Sequence, residues 1–473
     1  MAKFYTAGEK KTRPGIYQRY VNTGSVSIDG VETGVVAIPI QSSWGVLGEV
    51  TVHESTTSIK NTYGTDGTVD AAIALFEGGA SKVYCCRLNA ATGGTAGVAS
   101  SVELKNASST AVLTVTAKYE GERKLSVSVR SVSGTSKELV VYDGNVKIES
   151  FVFESGTGID EAGNLVSAIA SSEYITATAN TADDKTVAIV SNASLTGGKN
   201  PAITTESYSS ALNALEGYTF NYIALDTVDS EVQAILVEWL NRVYKSGKLV
   251  VSVLGGKNST ATFDEMKNAA RSFDSKLCVR HGIYGRDSNG KVVDGYRMAS
   301  LVCGAIANTP TTESIVHKTV PGISIITPFT NTEYEDAIKS GLLLASVSSN
   351  GTVWFDSGIN TLVNPASDED DGWKKIRRVA TRFELLNRID AAVAPLVGTI
   401  NCDNDGVSIF IQTAQSVLDD MVAEGKLLKG AKIAEDKANP HSGDSAWFII
   451  TADDIDSFEK GYITYQFRFS SNS

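Results

Sequence analysis

The chain has 473 residues but only 9 prolines, 4 histidines, 4 methionines and 5 cysteines. Each scarcity closes off a class of protein. The cysteines are odd in number; Cys85 and Cys86 are adjacent, and Cys278, Cys303 and Cys402 stand singly. That pattern argues against a disulfide framework and for reduced, buried thiols made in a cytoplasm. The histidines are His53, His281, His317 and His441, and no His/Cys pair has metal-ligand spacing, so no metal is expected. Positive charge is also short: 42 Lys and Arg stand against 54 Asp and Glu, a net of −12. A non-specific nucleic-acid binder needs the opposite sign, so no nucleic-acid partner is expected. No run reaches the roughly 18 apolar residues of a spanning helix, so no membrane insertion is expected. The opening Met1 to Gly8 lacks the apolar stretch of a secretory signal.

Glycine, in contrast, is plentiful at 42, and 42% of residues are hydrophobic. A chain this long should hold about two to four domains. Residues 31–40 read as a buried strand ending at Pro39, Val69 to Gly78 as a helix and Val83 to Leu88 as a strand. From 90 to 195 the composition turns to Ser, Thr, Val and Ala, with alternating runs at 112–118 and 125–130 and an Asp143-Gly144 hairpin signal. A helix near Glu161 to Ala170 and a strand near Val187 to Val190 close this segment, which reads as an inserted β-rich α+β domain.

Strand and helix then alternate, the pattern of an open α/β sheet. Tyr218 to Leu225 is a strand. Val228, Val232, Ile235, Leu236, Trp239, Leu240 and Val243 lie on one helical face, with Ser230 and Gln233 spaced as a capping box. Leu249 to Leu254 is an unbroken apolar strand, as in a parallel sheet covered on both faces. A helix over 264–273, a strand over 277–283, a helix over 296–307 and a hairpin around Asn350-Gly351 follow. After the acidic loop Asp368 to Asp371 come a long basic helix over 373–397, a second helix over 407–423 and a strand over 446–450.

Three local motifs invite a chemical reading. Gly255-Gly256-Lys257-Asn258 follows a strand, but the phosphate-loop spacing is absent because Asn258 stands in the Ser/Thr place. Asn401, Asp403, Asp405 and Gly406 imitate a calcium loop, yet its twelfth position is Gln412, which cannot chelate as a carboxylate does. Gly443-Asp444-Ser445 resembles part of a nucleophile loop, which also needs a histidine and an orienting acid. A subtilisin-like α/β hydrolase is therefore the rival reading, and a surface adhesin a more distant one. No cofactor is implied by any of these.

The two ends carry the strongest pattern. Ile463, Tyr465, Phe467 and Phe469 alternate with Tyr462, Thr464, Gln466 and Arg468, an amphipathic strand followed only by Ser470 to Ser473. Ile16, Tyr17 and Tyr20 lie in an arm punctuated by Pro14-Gly15. Extended edges of this kind need a partner, from the chain's own sheet or from another copy.

In their order and spacing, several segments resemble the tail sheath proteins of contractile-tailed bacteriophages and phage-tail-like bacteriocins. They are Arg13-Pro14-Gly15-Ile16-Tyr17, Val35 to Pro39 with Trp44-Gly45, Phe76 to Arg87, Leu195 to Gly198, Gly358 to Leu362, Ile376-Arg377-Arg378-Val379, Asp390 and Gly398 to Asn401. The resemblance spans nearly the whole chain except 90–195. It implies an N-terminal arm (1–25), a subtilisin-like α/β core without a protease triad (26–89 and 196–365) and an inserted outward-facing domain (90–195). It further implies a C-terminal domain facing a tube (366–459) and a C-terminal arm strand (460–473). It implies a non-enzymatic subunit that polymerises with itself into stacked hexameric rings around a tail tube protein. Baseplate and tail terminator proteins would be its other partners. Such a protein is made in the host bacterial cytoplasm and ends in a virion tail or a released bacteriocin particle. Lys374, Lys375, Arg377, Arg378, Lys426, Lys429 and Lys432 are the candidate tube contacts.

Overall fold

The computed structural model describes residues 34–467 together with residues 3, 4, 15, 17 and 18. Its centre is a seven-stranded sheet. Across it the order is Leu342–Leu343, Cys278–His281, Val251–Leu254, Tyr222–Ala224, Val35–Ile40, Lys82–Arg87 and Val50–His53. All neighbours run parallel except Val50–His53, which is antiparallel to Lys82–Arg87. Val36, Ala37, Ile38, Val253 and Val279 are wholly buried, as a parallel sheet covered on both faces demands. The Val35–Ile40 strand runs through Pro39 rather than ending there. Residues alternate in the neighbour they face, and the Ile40 carbonyl accepts from Leu88 on one side. The missing N–H of Pro39 therefore falls on the side of Tyr222–Ala224, where pairing has already stopped at Ala37.

Helices cover the sheet where their apolar faces direct. Val69–Gly78 and Gly295–Ala307 pack so closely that a side chain at Gly78 or Gly304 would strike the other helix's backbone. Ser230–Lys245 buries Val232, Leu236, Trp239, Leu240 and Val243, as their spacing requires. Its cap differs from the expected Ser230–Gln233 box. The Asp229 carboxylate accepts from Glu231 N and Val232 N at 2.8 and 3.4 Å, because an anion one residue earlier answers the helix N-terminus better than a hydroxyl. Gln233 instead turns inward and donates to the Gly255 carbonyl.

The inserted segment folds on its own core. One sheet orders Val146–Glu154, Ser136–Asp143, Leu125–Ser133 and Val190–Ser194; the other orders Ile175–Ala179, Ala111–Ala117 and Ser101–Lys105. Leu113, Val127, Leu139 and Leu165 meet between them, and Trp44 of the core reaches into the same cluster. Asp143 and Val146 close the expected hairpin, with Gly144 at φ +57°. The last strand starts at Val190, because the Val187 N–H is taken by the Glu161 carboxylate.

This domain is fixed to the core by Arg87, which is fully buried. Its guanidinium donates to the Ser42 and Gly45 carbonyls of the core and to the Glu120 carbonyl of the insertion, at 2.8, 2.5 and 2.8 Å. Gly121 sits so close that a Cβ would lie 2.1 Å from the Ser43 carbonyl.

The third region is an α+β layer. The basic helix expected over 373–397 is three pieces: a 3-10 turn Asp371–Lys374, the α-helix Ile376–Val393 and a second 3-10 turn Ala394–Leu396 containing Pro395. Val379 and Phe383 pack into the central core, whereas Ile389 and Val393 pack with Asn404–Ala423 and the pair Lys432–Glu435 and Phe448–Thr451. One helix thus spans two cores.

Replacing Arg87 with Met would take this donor from the carbonyls of Ser42, Gly45 and Glu120, the first two on buried residues. We expect a loss of roughly 2–4 kcal/mol, read as a lower denaturant midpoint, with amides of the insertion exchanging ahead of those in Val251–Leu254.

Candidate functional site

In an open α/β sheet the usual ligand crevice lies at the carboxyl ends of the strands where their order reverses. Here that point falls between Val35–Ile40 and Tyr222–Ala224, and it is filled. Asp226, 1% exposed, accepts from Thr68 Oγ1 at 2.5 Å and from the Tyr208 hydroxyl at 2.7 Å. Burial pushes Asp226 up to about 6 against the pull of those hydrogen bonds. A cavity of about 40 Å³ between Tyr222, Val251, Ala380 and Phe383 is too small for a cofactor.

The three motifs resolve into structural roles. At the glycine-rich loop the Asp294 carboxylate stands where a phosphate would, accepting from Asn258 N, Ser259 N and Ser259 Oγ at 3.1, 2.9 and 2.6 Å. Asp403 caps Asn404–Ala423 through Gly406 N. Ser445 donates to its neighbour Asp444, while His441 pairs with Glu435 at 2.7 Å, so the hydroxyl and the imidazole serve different partners.

The end of the chain is where chemistry is left open. Tyr462, Ile463, Tyr465 and Phe467 are 92%, 74%, 74% and 94% exposed and belong to no strand. Among the described residues no strand pairs with this run, and an unpaired strand has nothing to hold it. The alternation persists: the Tyr465 and Phe467 rings lie 6.4 Å apart, 17° from parallel. Phe469, Ile16 and Tyr20 lie outside the described residues, while Tyr17–Gln18 pairs in parallel with Lys3–Phe4. Upstream of the exposed run in sequence, Phe448–Thr451 forms a two-stranded sheet with Lys432–Glu435. One face is seated on Asn404–Ala423, where the Phe410 and Phe448 rings stack at 4.2 Å. Among the described residues neither outer edge carries a further strand.

The basic stripe behaves differently from the expectation of a free surface. Arg378 grips Asp454 through two contacts of 2.6 Å, and Lys375 meets Asp456 and Glu459 at 2.6 and 2.9 Å. Arg377 is buried and donates to the Thr311 carbonyl and Ser457. Lys426 pairs with Glu384 and Glu424, each at 2.7 Å; Lys374 pairs with Asp371 at 2.9 Å. Four of the seven candidate cations, Lys375, Arg377, Arg378 and Lys426, are thus committed inside the subunit, whereas Lys429 and Lys432 are exposed. The acidic residues Asp454, Asp456 and Glu459 were missed as partners; their clustering just before the aromatic run, opposite an equally dense basic run, was the available signal. Burial by itself would raise Asp454, but Arg378 and Arg382 outweigh it and hold the carboxyl below its ordinary value. That stabilisation is complete above the unfolded pKa of about 4 and fades as pH falls through the lower folded value.

Against this geometry the comparisons are consistent. Residues 201–361 match the model of the phage tail sheath protein central domain. The tail sheath protein of Clostridium phage phiCD119 is 20% identical over 273 residues, covering 52% of this chain and 72% of its own length. The sheath tail protein of Desulfitobacterium hafniense has a solved structure that is similar over 93% of this chain and all of its own, at 18% identity and a TM-score of 0.70. The anti-feeding prophage helical sheath in its contracted state matches over 97% of this chain and 99% of its own, at 10% identity and a TM-score of 0.55. The fold class is mixed α/β and multidomain, similar to that of sheath proteins. Residues 201–361 match the sheath central domain, and the chain is similar in sequence to a tail sheath protein.

Asp226 offers a pH test. A carboxyl raised to about 6 makes the folded state bind a proton that the unfolded state binds only near 4, so its contribution to stability rises as pH falls from about 6 to 4. Relative to the wild type, Asp226→Asn should lose this slope, a difference of roughly 3 kcal/mol across the window, measured by denaturant midpoints at each pH.

Proposed function

We infer that this chain is a contractile sheath subunit that polymerises into stacked hexameric rings around a tail tube and shortens to drive that tube through a target envelope. The observation carrying this is the exposed, alternating run from Tyr462 to Phe467, together with a two-stranded sheet whose outer edges carry no further strand among the described residues. Strand addition from another copy satisfies both a sheet edge and the arm. The acceptor in this reading is Lys432–Glu435 with Phe448–Thr451, and the donors are Ile463, Tyr465, Phe467 and Phe469 of one neighbour and Ile16, Tyr17 and Tyr20 of another. A heterologous contact whose rotation does not close builds an open helix. Contraction is then repacking between two arrangements of one interface, with the extended array held by a barrier.

The tube-facing side is the C-terminal domain, where Lys429 and Lys432 are the exposed cations among the seven candidates and would meet an acidic tube surface. The inserted domain points outward, since about a hundred residues would not fit between core and tube. A subtilisin-like outline for the core, and capping by baseplate and terminator proteins of a particle assembled in a bacterial cytoplasm, belong to the same reading.

Negative-stain microscopy of the purified protein tests it: striated hollow tubes are expected, and dispersed particles with hydrolytic turnover would overturn it. Deleting residues 460–473 should leave a soluble monomer, judged by light scattering, that forms no tubes; long tubes from the truncation would refute the arm assignment. Reversing charge at both Lys429 and Lys432 should weaken tube-bound assembly about tenfold or more, measured by co-sedimentation with tube protein.

A further inference from the structure

Two segments that are far apart in sequence meet on two guanidinium groups. The root of the C-terminal arm arrives by backbone pairing, with Leu428 N donating to the Asp453 carbonyl and Ile455 N to the Lys426 carbonyl. This delivers Asp454, whose side chain is 3% exposed, to Arg378 and to Arg382, the latter at 3.2 Å. Arg382 also holds Asp370 through two contacts of 2.7 and 2.9 Å. Asp370 belongs to the linker between the core and the last domain, and it caps the Asp371–Lys374 turn through Gly372 N at 3.0 Å.

The space is tightly shared. A Cβ on Gly372 would stand 2.5 Å from Arg378 and 2.6 Å from Arg382. The Arg382 guanidinium lies 4.6 Å over the Trp373 ring. The linker is in turn tied to the core, where Asp274 accepts from Val363 N and Asn364 N at 2.6 and 2.9 Å and Lys276 pairs with Glu369 at 2.5 Å. Beyond Glu459, which reaches Ser314 and Lys375, the chain leaves the surface.

Removing one partner from a buried pair leaves its charge uncompensated, so the remaining groups must rearrange. Arg382 touches both acids, and neither can leave without changing the field and position of the guanidinium that holds the other. We propose that Arg378 and Arg382 form a coupling node that transmits displacement of the C-terminal arm root to the linker 364–375, freeing the last domain from the core when the arm is pulled. What pulls the arm rests on the sheath reading above; the coupling itself is a property of the single subunit.

Hydrogen exchange on the full chain separates the two. Linkage requires that coupling be reciprocal. Relative to amides in Val251–Leu254, Asp454→Asn should speed exchange across 366–375 by about tenfold, and Asp370→Asn should speed 454–459 by a similar factor. Glu313→Gln, which breaks the surface pair with Lys318, should change neither segment. If each aspartate variant loosens only its own segment, or loosens the core strand equally, the node is overturned. Where the wild type forms tubes, Asp454→Asn tubes should pass to a second diameter about tenfold faster or more, and equal rates would overturn the mechanical role. If the wild type forms no tubes, the sheath reading fails and the exchange result still decides the node.

Discussion

Asp454 lies between the guanidiniums of Arg378 and Arg382 with almost no access to water, and the layout of the last third of the chain follows from that placement. A carboxylate so buried must be paired. Pairing it fixes the arm root on the first turns of Ile376–Val393, orients that helix over both the central core and the C-terminal core, and holds the linker through the same Arg382. Beyond Lys460 no such anchor exists among the described residues, and the aromatic side chains stand in solvent. The boundary between ordered body and available arm is therefore electrostatic, with hydrophobic segments on its outer side.

The molecule has two inter-domain junctions. The insertion is joined by Arg87, which donates to three backbone carbonyls, those of Ser42 and Gly45 on buried residues. The last domain is joined to the core by the pair Lys276 and Glu369 and by Arg377 on the Thr311 carbonyl. Arg87, Lys276 and Arg377 are all buried, so both junctions rest on cations that cannot lose their partners without leaving a charge uncompensated.

Much of this was legible in the sequence where periodicity decides structure. The apolar runs at 35–40 and 249–254 and the stripe from Val232 to Val243 gave strands and a helix within a few residues, because burial on both faces or on one face leaves a direct trace. Asp143-Gly144 gave its hairpin for a conformational reason. The misses are of another kind. Asp229 rather than Ser230 caps its helix, since local spacing does not rank a carboxylate against a hydroxyl. The alternation at 462–467 is a strand pattern, but strand structure also needs a neighbour, and none pairs with it among the described residues. The partners of the basic stripe, Asp454, Asp456 and Glu459, escaped the sequence reading because they lie 76 to 84 residues further along the chain, beyond what spacing can report.

Much of the seam that attaches the insertion is main chain. Val98 pairs with Lys199 and Ser101 with Thr196 through backbone bridges, and Arg87 grasps a carbonyl whose residue identity is immaterial. The side-chain part of the seam is concentrated on Trp44, which packs against Tyr119 and Tyr174 and lies under the Arg123 guanidinium. A module of different sequence could be grafted there as long as it kept a glycine at 121 and an aromatic seat for that one indole, leaving the central sheet beneath unaltered.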